Sequence, residues 1–570
     1  MEVDLIIKNA NVYNSYFKKF FKEDIVIHNG LFVHIGEGYQ HRITSKEVID
    51  ATSKYIIPGL IDIHMHIESS MTIPSEFAKA VIKHGVTTVV ADPHEIANVF
   101  GIEGIETFIN DKETLDIFYG IPSSVPSTCS ELETTGAEIT SKEVEKLLLN
   151  DRILCLGEVM NFKDLTSEED SEIKRIIDVA KKCERNIPLE GHCPKISGVD
   201  LSLFLYSGVN GDHTQQNIES LEEKIKRGMF IELQHKSLCK ENIDYLVSNN
   251  LYEHIALVTD DVMADKLNEG HLNKLVEEVI KLGMPIEEAI YISTFTPARR
   301  MGLMDRGSIA SGKIADFIIV DNLDKLSIES VYKNGVPVYK KESGVDLNYF
   351  NNKTYIPKKF FNSVKLDLLK EEDFKIRIKN KEKVKCRVMN VNKKSTFTEE
   401  QFISLDVKDG ILDFEEQDCA LIGVFERYGK NNNRAYGLVN GNIIKEGAVA
   451  TTWAHDHHNL MVMGTNISDM VLVANKVIAM GGGYAVANKG ELLACVELPI
   501  GGIISDEPIE ILGSKLKKVR NAMKDLGYNH INEIMSFSTL SLPVSPELKI
   551  TDKGLISVRE NKIVPFIHVE

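Results

Sequence analysis

The chain of 570 residues is longer than one hydrophobic core usually supports and predicts two or three domains. Its formal net charge of −18 argues against nucleic acid or an anionic membrane as the main partner, whereas a small-molecule substrate is unaffected by that argument. The 8 cysteines form no CxxC pair, and neither a signal peptide nor about 18 uninterrupted apolar residues is visible, which together predict a cytoplasmic protein.

Residues 1–54 contain short alternating segments and the turn signal Asn29-Gly30, a pattern that predicts a small antiparallel β unit. Residues 301–343 return to the same alternation in the segments GSIASGKIADFIIVDN and IESVYKNGVPVY. We therefore expect the two regions to combine into one small flanking β-sandwich domain.

Residues 55–300 alternate short apolar runs with amphipathic helical patterns. Such alternation predicts an α/β fold of parallel βα units, and eight of them predict a closed (β/α)8 TIM-like barrel. The runs are YIIPGLIDIH, GVTTVVADP, LDIFYGIP, RILCLGEV, NIPLEGH, GVNGDH, GMFIELQ and HIALVTDD.

Residues 344–570 begin with a lysine-rich stretch and predict a C-terminal mixed α/β domain. The triplet Gly481–Gly483 could suggest a phosphate-binding loop, but neither GxxxxGK[ST] nor GxGxxG is present. A tight turn between a helix and a strand is the better interpretation.

Histidines and carboxylates stand where the predicted barrel strands end, which is the edge at which TIM barrels carry their reactive groups. His64 and His66 end the first strand, and side chains two residues apart in a strand share one side, so both imidazoles can hold one metal ion. The other strands end in Asp92, His94, Glu95, Glu158, His192, His213, Asp260 and Asp261. Each alone could be a cap or a satisfied core residue, but together they are costly to bury without a metal.

These residue types fit a site for two metal ions. The predicted ligands are His64, His66 and Asp260 for one ion, His192 and His213 for the other, and Glu158 as the bridge between them. Nitrogen and carboxylate ligands suit Zn²⁺, Mn²⁺ or Fe²⁺. Cys193 is a conceivable thiolate ligand, but its side chain should point away from that of its neighbour His192.

The strand ends lie in the segments PGLIDIHMHIESS, GVTTVVADPHE, LGEVMN, LEGHCP, GDHT and VTDD. Together these segments resemble the amidohydrolase superfamily and, within it, the adenine deaminase family, and the similarity extends to WAHDHHNLMVMGTN in the last domain. Many hydrolases of the superfamily use a carbamylated lysine on the fourth strand, where this chain has Glu158, in agreement with the adenine deaminase pattern. The H-x-E…P-C-x-x-C signature of the zinc nucleobase deaminases, which have another fold, is absent.

The resemblance implies hydrolytic deamination of adenine to hypoxanthine and ammonia in purine salvage, with two divalent cations. Mn²⁺ is the expected metal, with Fe²⁺ or Zn²⁺ as alternatives, and we expect a homodimer or a higher homo-oligomer. Two other functions stay open. One is an amidohydrolase that cleaves a cyclic amide or N-acyl bond, and the other is a non-catalytic scaffold that kept the fold.

The deamination chemistry assigns further roles. Asp260 would take a proton from the attacking water and deliver it to the leaving amine. Glu95 would protonate a ring nitrogen while Asp92 holds the local network, although Glu68 is also close in sequence to the ligands. The expected substrate-binding residues are His94, Asp261 and His457, with His94 alternatively a partner of the metal ligands.

A cluster in the last domain has two interpretations, which the sequence leaves open. It consists of Trp453, His455, His457 and His458. It could be a lid that brings His457 or His458 over the substrate, or a solvated turn between two strands.

Overall fold

A computed structural model describes residues 1–111, 115–167, 170–350, 353–415, 417–440 and 443–568. Five strands come first in the chain: Glu2–Asn14 (β1), Lys19–His28 (β2), Leu31–Ile35 (β3), Thr44–Asp50 (β4) and Tyr55–Pro58 (β5). β1 pairs antiparallel with β2, and β2 with β3 across the turn Asn29-Gly30, where both residues have positive φ as a tight hairpin turn requires. This confirms the predicted antiparallel unit, to which β4 and β5 add by running parallel to β1.

Eight parallel strands follow, one for each predicted run. They are Leu60–Met65 (β6), Val86–Ala91 (β7), Asp116–Ile121 (β8), Ile153–Val159 (β9), Leu189–Gly191 (β10), Gly211–Asp212 (β11), Phe230–Leu233 (β12) and Ile255–Leu257 (β13). β6 to β10 pair in one sheet and β11 to β13 in a second. The ring closes where Asn210 N–H donates to the Leu189 carbonyl at 3.0 Å and Asp260 N–H donates to the His64 carbonyl at 3.1 Å. The TIM-like barrel is confirmed and starts at β6, because β5 pairs with β1 in the flanking sheet.

Helices lie between the barrel strands and after the last one. They are Pro74–Ile82 (α1), His94–Phe100 (α2), Ile102–Ile109 (α3), Ser141–Leu147 (α4), Phe162–Thr166 (α5), Glu172–Lys181 (α6), Gly198–Tyr206 (α7), Ile218–Lys226 (α8), Lys240–Ser248 (α9), Ala264–Leu267 (α10), Leu272–Leu282 (α11), Ile286–Tyr291 (α12) and Phe295–Arg300 (α13). In α6 the buried residues Ile173, Ile176, Ile177 and Ala180 follow the helical period, which explains why this stretch packs on the barrel as a helix.

Four more strands complete the flanking sheet after the barrel: Phe317–Asn322 (β14), Ser327–Lys333 (β15), Val336–Lys340 (β16) and Gly344–Val345 (β17). β14 lies antiparallel to β5, and hydrogen bonds join all the strands of this unit into one 9-stranded sheet. Lys333 is fully buried and its Nζ is 2.6 Å from Asp116 Oδ2, which ties the sheet to the start of β8. The two chain regions thus form one β unit, as the sequence predicts.

The C-terminal domain is mixed α/β, as predicted. Its strands are Lys383–Val391 (β18), Thr398–Lys408 (β19), Ile411–Leu412 (β20), Cys419–Phe425 (β21), Arg434–Asn440 (β22), Ala448–Thr451 (β23), Leu460–Gly464 (β24), Gly483–Asn488 (β25), Glu491–Glu497 (β26), Leu548–Thr551 (β27), Gly554–Ser557 (β28), Lys562–Val564 (β29) and Ile567–His568 (β30). Its helices are Ile467–Ala479 (α14), Ile509–Asp525 (α15) and Glu533–Ser538 (α16). Gly481–Gly483 all have positive φ and connect α14 to β25, which confirms the predicted turn.

The C-terminal domain packs on the edge where the barrel strands end. One buried apolar cluster includes Phe77 of the barrel as well as Trp453 and Tyr484 of this domain. Arg520 of α15 forms an ion pair across this contact, with its Nε 2.8 Å from Asp265 Oδ2 of α10. The edge that carries the predicted site is therefore covered by protein. Within the described ranges, none of the helices has the length and apolarity that crossing a membrane requires.

Candidate active site and metal centre

Two histidines of the first barrel strand lie side by side at the covered edge. His64 and His66 are buried, with ring centroids 5.1 Å apart. The Nδ1–H of His66 donates to the Asp92 carbonyl at 2.9 Å, which leaves its Nε2 free to bind a metal. His64 Nε2 is buried without a hydrogen-bond partner among the described residues, and a cation at this point would satisfy it.

Glu158, near the end of β9, lies between two sets of histidines. Its Oε1 is 3.5 Å from His66 Nε2, whereas its Oε2 is 2.9 Å from His192 Nδ1 and 3.2 Å from His213 Nε2. Burial would raise the pKa of this carboxyl, but His213 and His192 outweigh burial and hold the pKa well below its usual range. Glu158 is therefore an ionised carboxylate whose two oxygens face different histidines.

Asp260, which follows the last barrel strand β13, lies beside the same ligands. Its Oδ1 is 3.5 Å from His66 Nε2, and its Oδ2 accepts a hydrogen bond from Gln234 Nε2 at 2.7 Å. Burial opposes ionisation of Asp260, but His66 and Lys236 hold its pKa well below the usual range. Gln234 was missed by the sequence reasoning, because a lone glutamine matches no ligand spacing.

The structure brings the six predicted metal ligands together. Ligand atoms within 4.8 Å of one another occur in several groups, among them His64, His66, Glu158; Glu158, His192, His213; and His66, Asp260, Asp261. Imidazole nitrogens and carboxylate oxygens of this kind fit divalent Mn, Fe or Zn. Cys193 is fully buried, and burial raises the pKa of its thiol well above the usual value, which disfavours a thiolate ligand.

Asp92 supports two of these ligands. Its Oδ2 accepts the backbone N–H of Glu158 at 2.9 Å, and its carbonyl accepts the Nδ1–H of His66. A Cβ on Gly157 would lie 2.1 Å from that Oδ2, so this close approach requires a glycine. His94 Nδ1 lies 3.7 Å from Glu158 Oε1, the same oxygen that faces His66. These contacts are compatible with the network role that the sequence predicts for Asp92.

Glu95 lies next to a serine that the sequence reasoning missed. Ser69 Oγ donates to Asp261 Oδ1 at 2.5 Å and lies 3.2 Å from Glu95 Oε1. Burial raises the pKa of Glu95 to about 8, although the charge of His455 opposes the rise. Glu68, the alternative proton donor, instead accepts the backbone N–H of Ile96 at 3.1 Å. Ser69 lies three residues after His66 in the sequence, but a hydroxyl there carries no distinctive signal.

The histidine cluster of the C-terminal domain meets the barrel at this point. His455 Nδ1 is 3.6 Å from Glu95 Oε1, and Asp456 Oδ1 is 3.8 Å from His94 Nε2. Trp453 is fully buried, and its indole N–H donates to the Glu68 carbonyl at 3.3 Å. The cluster is therefore a buried interdomain contact: the segment connects β23 to β24, as the second interpretation states, but it is not solvated.

His457 makes its hydrogen bonds inside the C-terminal domain. Its Nδ1 accepts the N–H of Asn459 at 3.0 Å, and its carbonyl accepts the hydroxyl of Tyr428 at 2.7 Å. Burial lowers the pKa of His457 to about 4, so the ring is neutral near pH 7. Its expected contact with substrate stays a prediction.

Comparison with known proteins gives consistent matches along the chain. The family model described as "Amidohydrolase family" matches residues 55–338, and that described as "Adenine deaminase C-terminal domain" matches residues 395–562. A protein of Clostridium perfringens named adenine deaminase is 66% identical over 99% of both chains. One of Oenococcus oeni named adenine deaminase 2 is 48% identical over 100% of this chain and 99% of its own. Among solved structures, a β-aspartyl dipeptidase from Fervidobacterium islandicum AW-1 is 23% identical over 60% of this chain and 99% of its own, with a TM-score of 0.46.

Proposed function

The chain belongs to the adenine deaminase family of the amidohydrolases, and on this premise we propose how its barrel edge hydrolyses adenine to hypoxanthine and ammonia. The observation that carries the proposal is the position of Glu158, whose two carboxylate oxygens face two different sets of histidines. Such a group can serve two cations at once. The similarity to proteins named adenine deaminase extends over the full length of the chain. It favours neither a cyclic-amide hydrolase nor a non-catalytic scaffold.

Two divalent cations are the proposed cofactors, Mn²⁺ first and Fe²⁺ or Zn²⁺ as alternatives. The residues that would hold them are His64, His66 and Asp260 on one side, His192 and His213 on the other, and Glu158 between. When bound, such cations lower the pKa of water from 15.7 to about 7 and so supply hydroxide at neutral pH.

Asp260 is the proposed proton carrier between water and the leaving amine. Its depressed pKa keeps it ionised near neutral pH, which a proton acceptor requires, and the amide of Gln234 fixes its carboxylate at 2.7 Å. Such a positioned acid–base group contributes about 10²–10⁴-fold to the rate.

Glu95 is the proposed donor to a ring nitrogen. Since burial raises its pKa to about 8, the carboxyl holds a proton near neutral pH. Asp260 passes one proton of the attacking water to the departing ammonia. The other proton of the water replaces the one that Glu95 gives to the ring, so both carboxyl groups return to their starting state. His94 precedes Glu95 in the chain, and Asp261 shares the hydroxyl of Ser69 with Glu95; both are the proposed contacts to the base.

The chain is also proposed to act in the cytoplasm, in purine salvage, as a homodimer or higher homo-oligomer. All 8 cysteines are free, which supports a reducing compartment. Val199, Leu203 and Tyr206 share one face of α7 and are 74%, 44% and 88% exposed, an apolar stripe that supports a contact between copies. Nucleic acid is not a proposed partner, because the net charge is −18.

The substrate assignment predicts selectivity for the free base. A site built to hydrogen-bond one polar edge can reject analogues that leave its groups unpaired by about 10⁴–10⁵-fold. Protein loaded with Mn²⁺ should therefore release ammonia from adenine and far more slowly from adenosine and cytosine, at equal concentrations. Comparable rates for adenine and adenosine would refute the free-base assignment, and no ammonia from any of them would favour a cyclic-amide substrate.

A further inference from the structure

Two side chains of the C-terminal domain enter the barrel edge beside the proposed proton donor. His455 Nδ1 lies 3.6 Å from Glu95 Oε1 and 3.2 Å from Asp456 Oδ1. Glu95 is fully buried, and His455 and Asp456 are 4% and 2% exposed. All three groups are therefore buried at the contact between the two domains.

The segment that carries His455 is held firmly on its own domain. The N–H of His455 donates to the Ser538 carbonyl at 3.2 Å, and the carbonyl of His455 accepts the hydroxyl of Ser541 at 2.9 Å. Ser538 also donates its hydroxyl to the Trp453 carbonyl at 2.7 Å. With Trp453 bonded across to Glu68, the imidazole of His455 is positioned from both domains.

The charges of this group complement one another. Burial would lower the pKa of His455, but Glu95 and Asp456 outweigh burial and raise the pKa to about 9. Burial likewise opposes ionisation of Asp456, but His455 and His94 lower its pKa. Near pH 7 the Asp456 carboxylate thus pairs with the imidazolium of His455, and the contribution from Glu95 arises once Glu95 has given up its proton.

We propose that His455 and Asp456 are positioning residues, supplied by the C-terminal domain, which orient the Glu95 carboxyl for transfer of its proton to the purine ring. The proposal rests on the role assigned to Glu95 above. His455 contacts one carboxyl oxygen, and Ser69 contacts the same oxygen from the barrel, so the remaining oxygen Oε2 is left without a protein partner among the described residues. Oε2 is therefore the carboxyl oxygen left to contact a substrate. When it gives up its proton, the imidazolium stabilises the carboxylate that remains.

This arrangement also gives the C-terminal domain a role in the reaction. A barrel without that domain keeps all six proposed metal ligands and Glu95, but it lacks the group that holds Glu95. We expect the effect on turnover rather than on metal binding, since neither His455 nor Asp456 is among the proposed ligands.

The test is a double-mutant cycle between His455 and Glu95, with ammonia release from adenine and metal content as readouts. His455→Gln should lower kcat at least about tenfold, leave KM within about threefold, and retain the parent's metal content. In a Glu95→Gln background the same substitution should cause no further loss, because it acts through Glu95. His530→Gln, the same change elsewhere in the C-terminal domain, is the matched control and should keep parent turnover.

Several results would overturn the proposal. Parent-like kcat in His455→Gln, or losses that multiply in the double variant, would show that His455 does not act through Glu95. Loss of a metal equivalent in His455→Gln would show that the cluster holds a cation instead. Full activity of Glu95→Gln would defeat the role proposed for Glu95 itself, a result distinct from the other two. If His455→Gln does not fold, Asp456→Asn tests the proposal at the second positioning residue. If the activity of Glu95→Gln is below detection, Glu95→Asp takes its place in the double-mutant cycle.

Discussion

Glu158 is the single residue on which both proposed cation positions depend. Its carboxylate is ionised against the cost of burial, and its oxygens face His66 on one side and His192 and His213 on the other. A neutral amide would remove the charge and replace one acceptor oxygen by a donor. We expect Glu158→Gln to bind fewer metal equivalents than the parent and to lose deaminase activity, as measured by elemental analysis and ammonia release.

The matched control for that variant is Glu190→Gln. Glu190 is equally buried on the neighbouring β10, but its Oε1 accepts from Arg300 Nε at 2.9 Å and it is not a proposed ligand. We expect this variant to keep the parent's metal content. Full metal occupancy in Glu158→Gln would contradict the bridging role.

Single residues differ in how far the sequence reveals them. His64 and His66 were predictable because their spacing has a direct geometric meaning on a strand. Gln234 and Ser69 were not, because amides and hydroxyls are common and follow no ligand spacing. His455 lies in a recognisable motif, but its contact with Glu95 depends on how two domains dock, which local patterns do not encode.

At the scale of the element, β9 depends on a glycine. A Cβ at Gly157 would lie 2.1 Å from Asp92 Oδ2 and 2.9 Å from the Ile121 carbonyl of the adjacent strand. Gly157→Ala should displace Asp92 and with it the backbone of Glu158, and a misplacement of about 1 Å can cost about 10² in rate. We expect a loss of that order in kcat/KM for adenine.

Gly120→Ala on the neighbouring β8 is the control for this prediction. There a Cβ would lie 3.0 Å from the Cys155 sulfur and 3.3 Å from the Cα of Gly157, so it presses on the same strand far less closely than the Gly157 Cβ presses on Asp92. Its activity should stay within about tenfold of the parent. Equal losses in both variants would mean that strand packing in general, and not the position of Asp92, is responsible.

The eight barrel strands were predictable as elements because parallel strands are buried on both faces and read as continuous apolar runs. β5 has the same texture, which predicts it as the start of the first barrel strand. Only its partners, β1 and β14, place it in the flanking sheet. Pairing with a strand so distant in the chain leaves no local signal.

At the scale of the whole molecule, Arg520 joins the two large parts of the chain. It is 8% exposed, with Nε 2.8 Å from Asp265 Oδ2 in the barrel and Nη1 3.0 Å from Glu533 Oε2 in its own domain. Removing one member of a buried ion pair costs about 3–5 kcal/mol, because the remaining charge stays buried. Arg520→Met should therefore lower the midpoint of denaturant unfolding substantially.

Lys353→Met is the comparison for Arg520→Met. Lys353 pairs with Asp506 at 2.8 Å, but this pair is exposed, and exposed pairs contribute about 0–1 kcal/mol. Its unfolding midpoint should match the parent's. If Arg520→Met also unfolds at the parent's midpoint, the interdomain pair does not stabilise the chain.

The flanking sheet joins segments made at very different times during synthesis. β5 pairs with β14, although residues 59–316 lie between them. At about 5–20 residues/s a ribosome needs roughly 13–50 s to supply that stretch. During this interval Ile56 and Ile57 form an open strand edge of the kind that recruits foreign strands. We therefore expect this edge to be the part of the nascent chain most in need of shielding until residue 322 has left the exit tunnel.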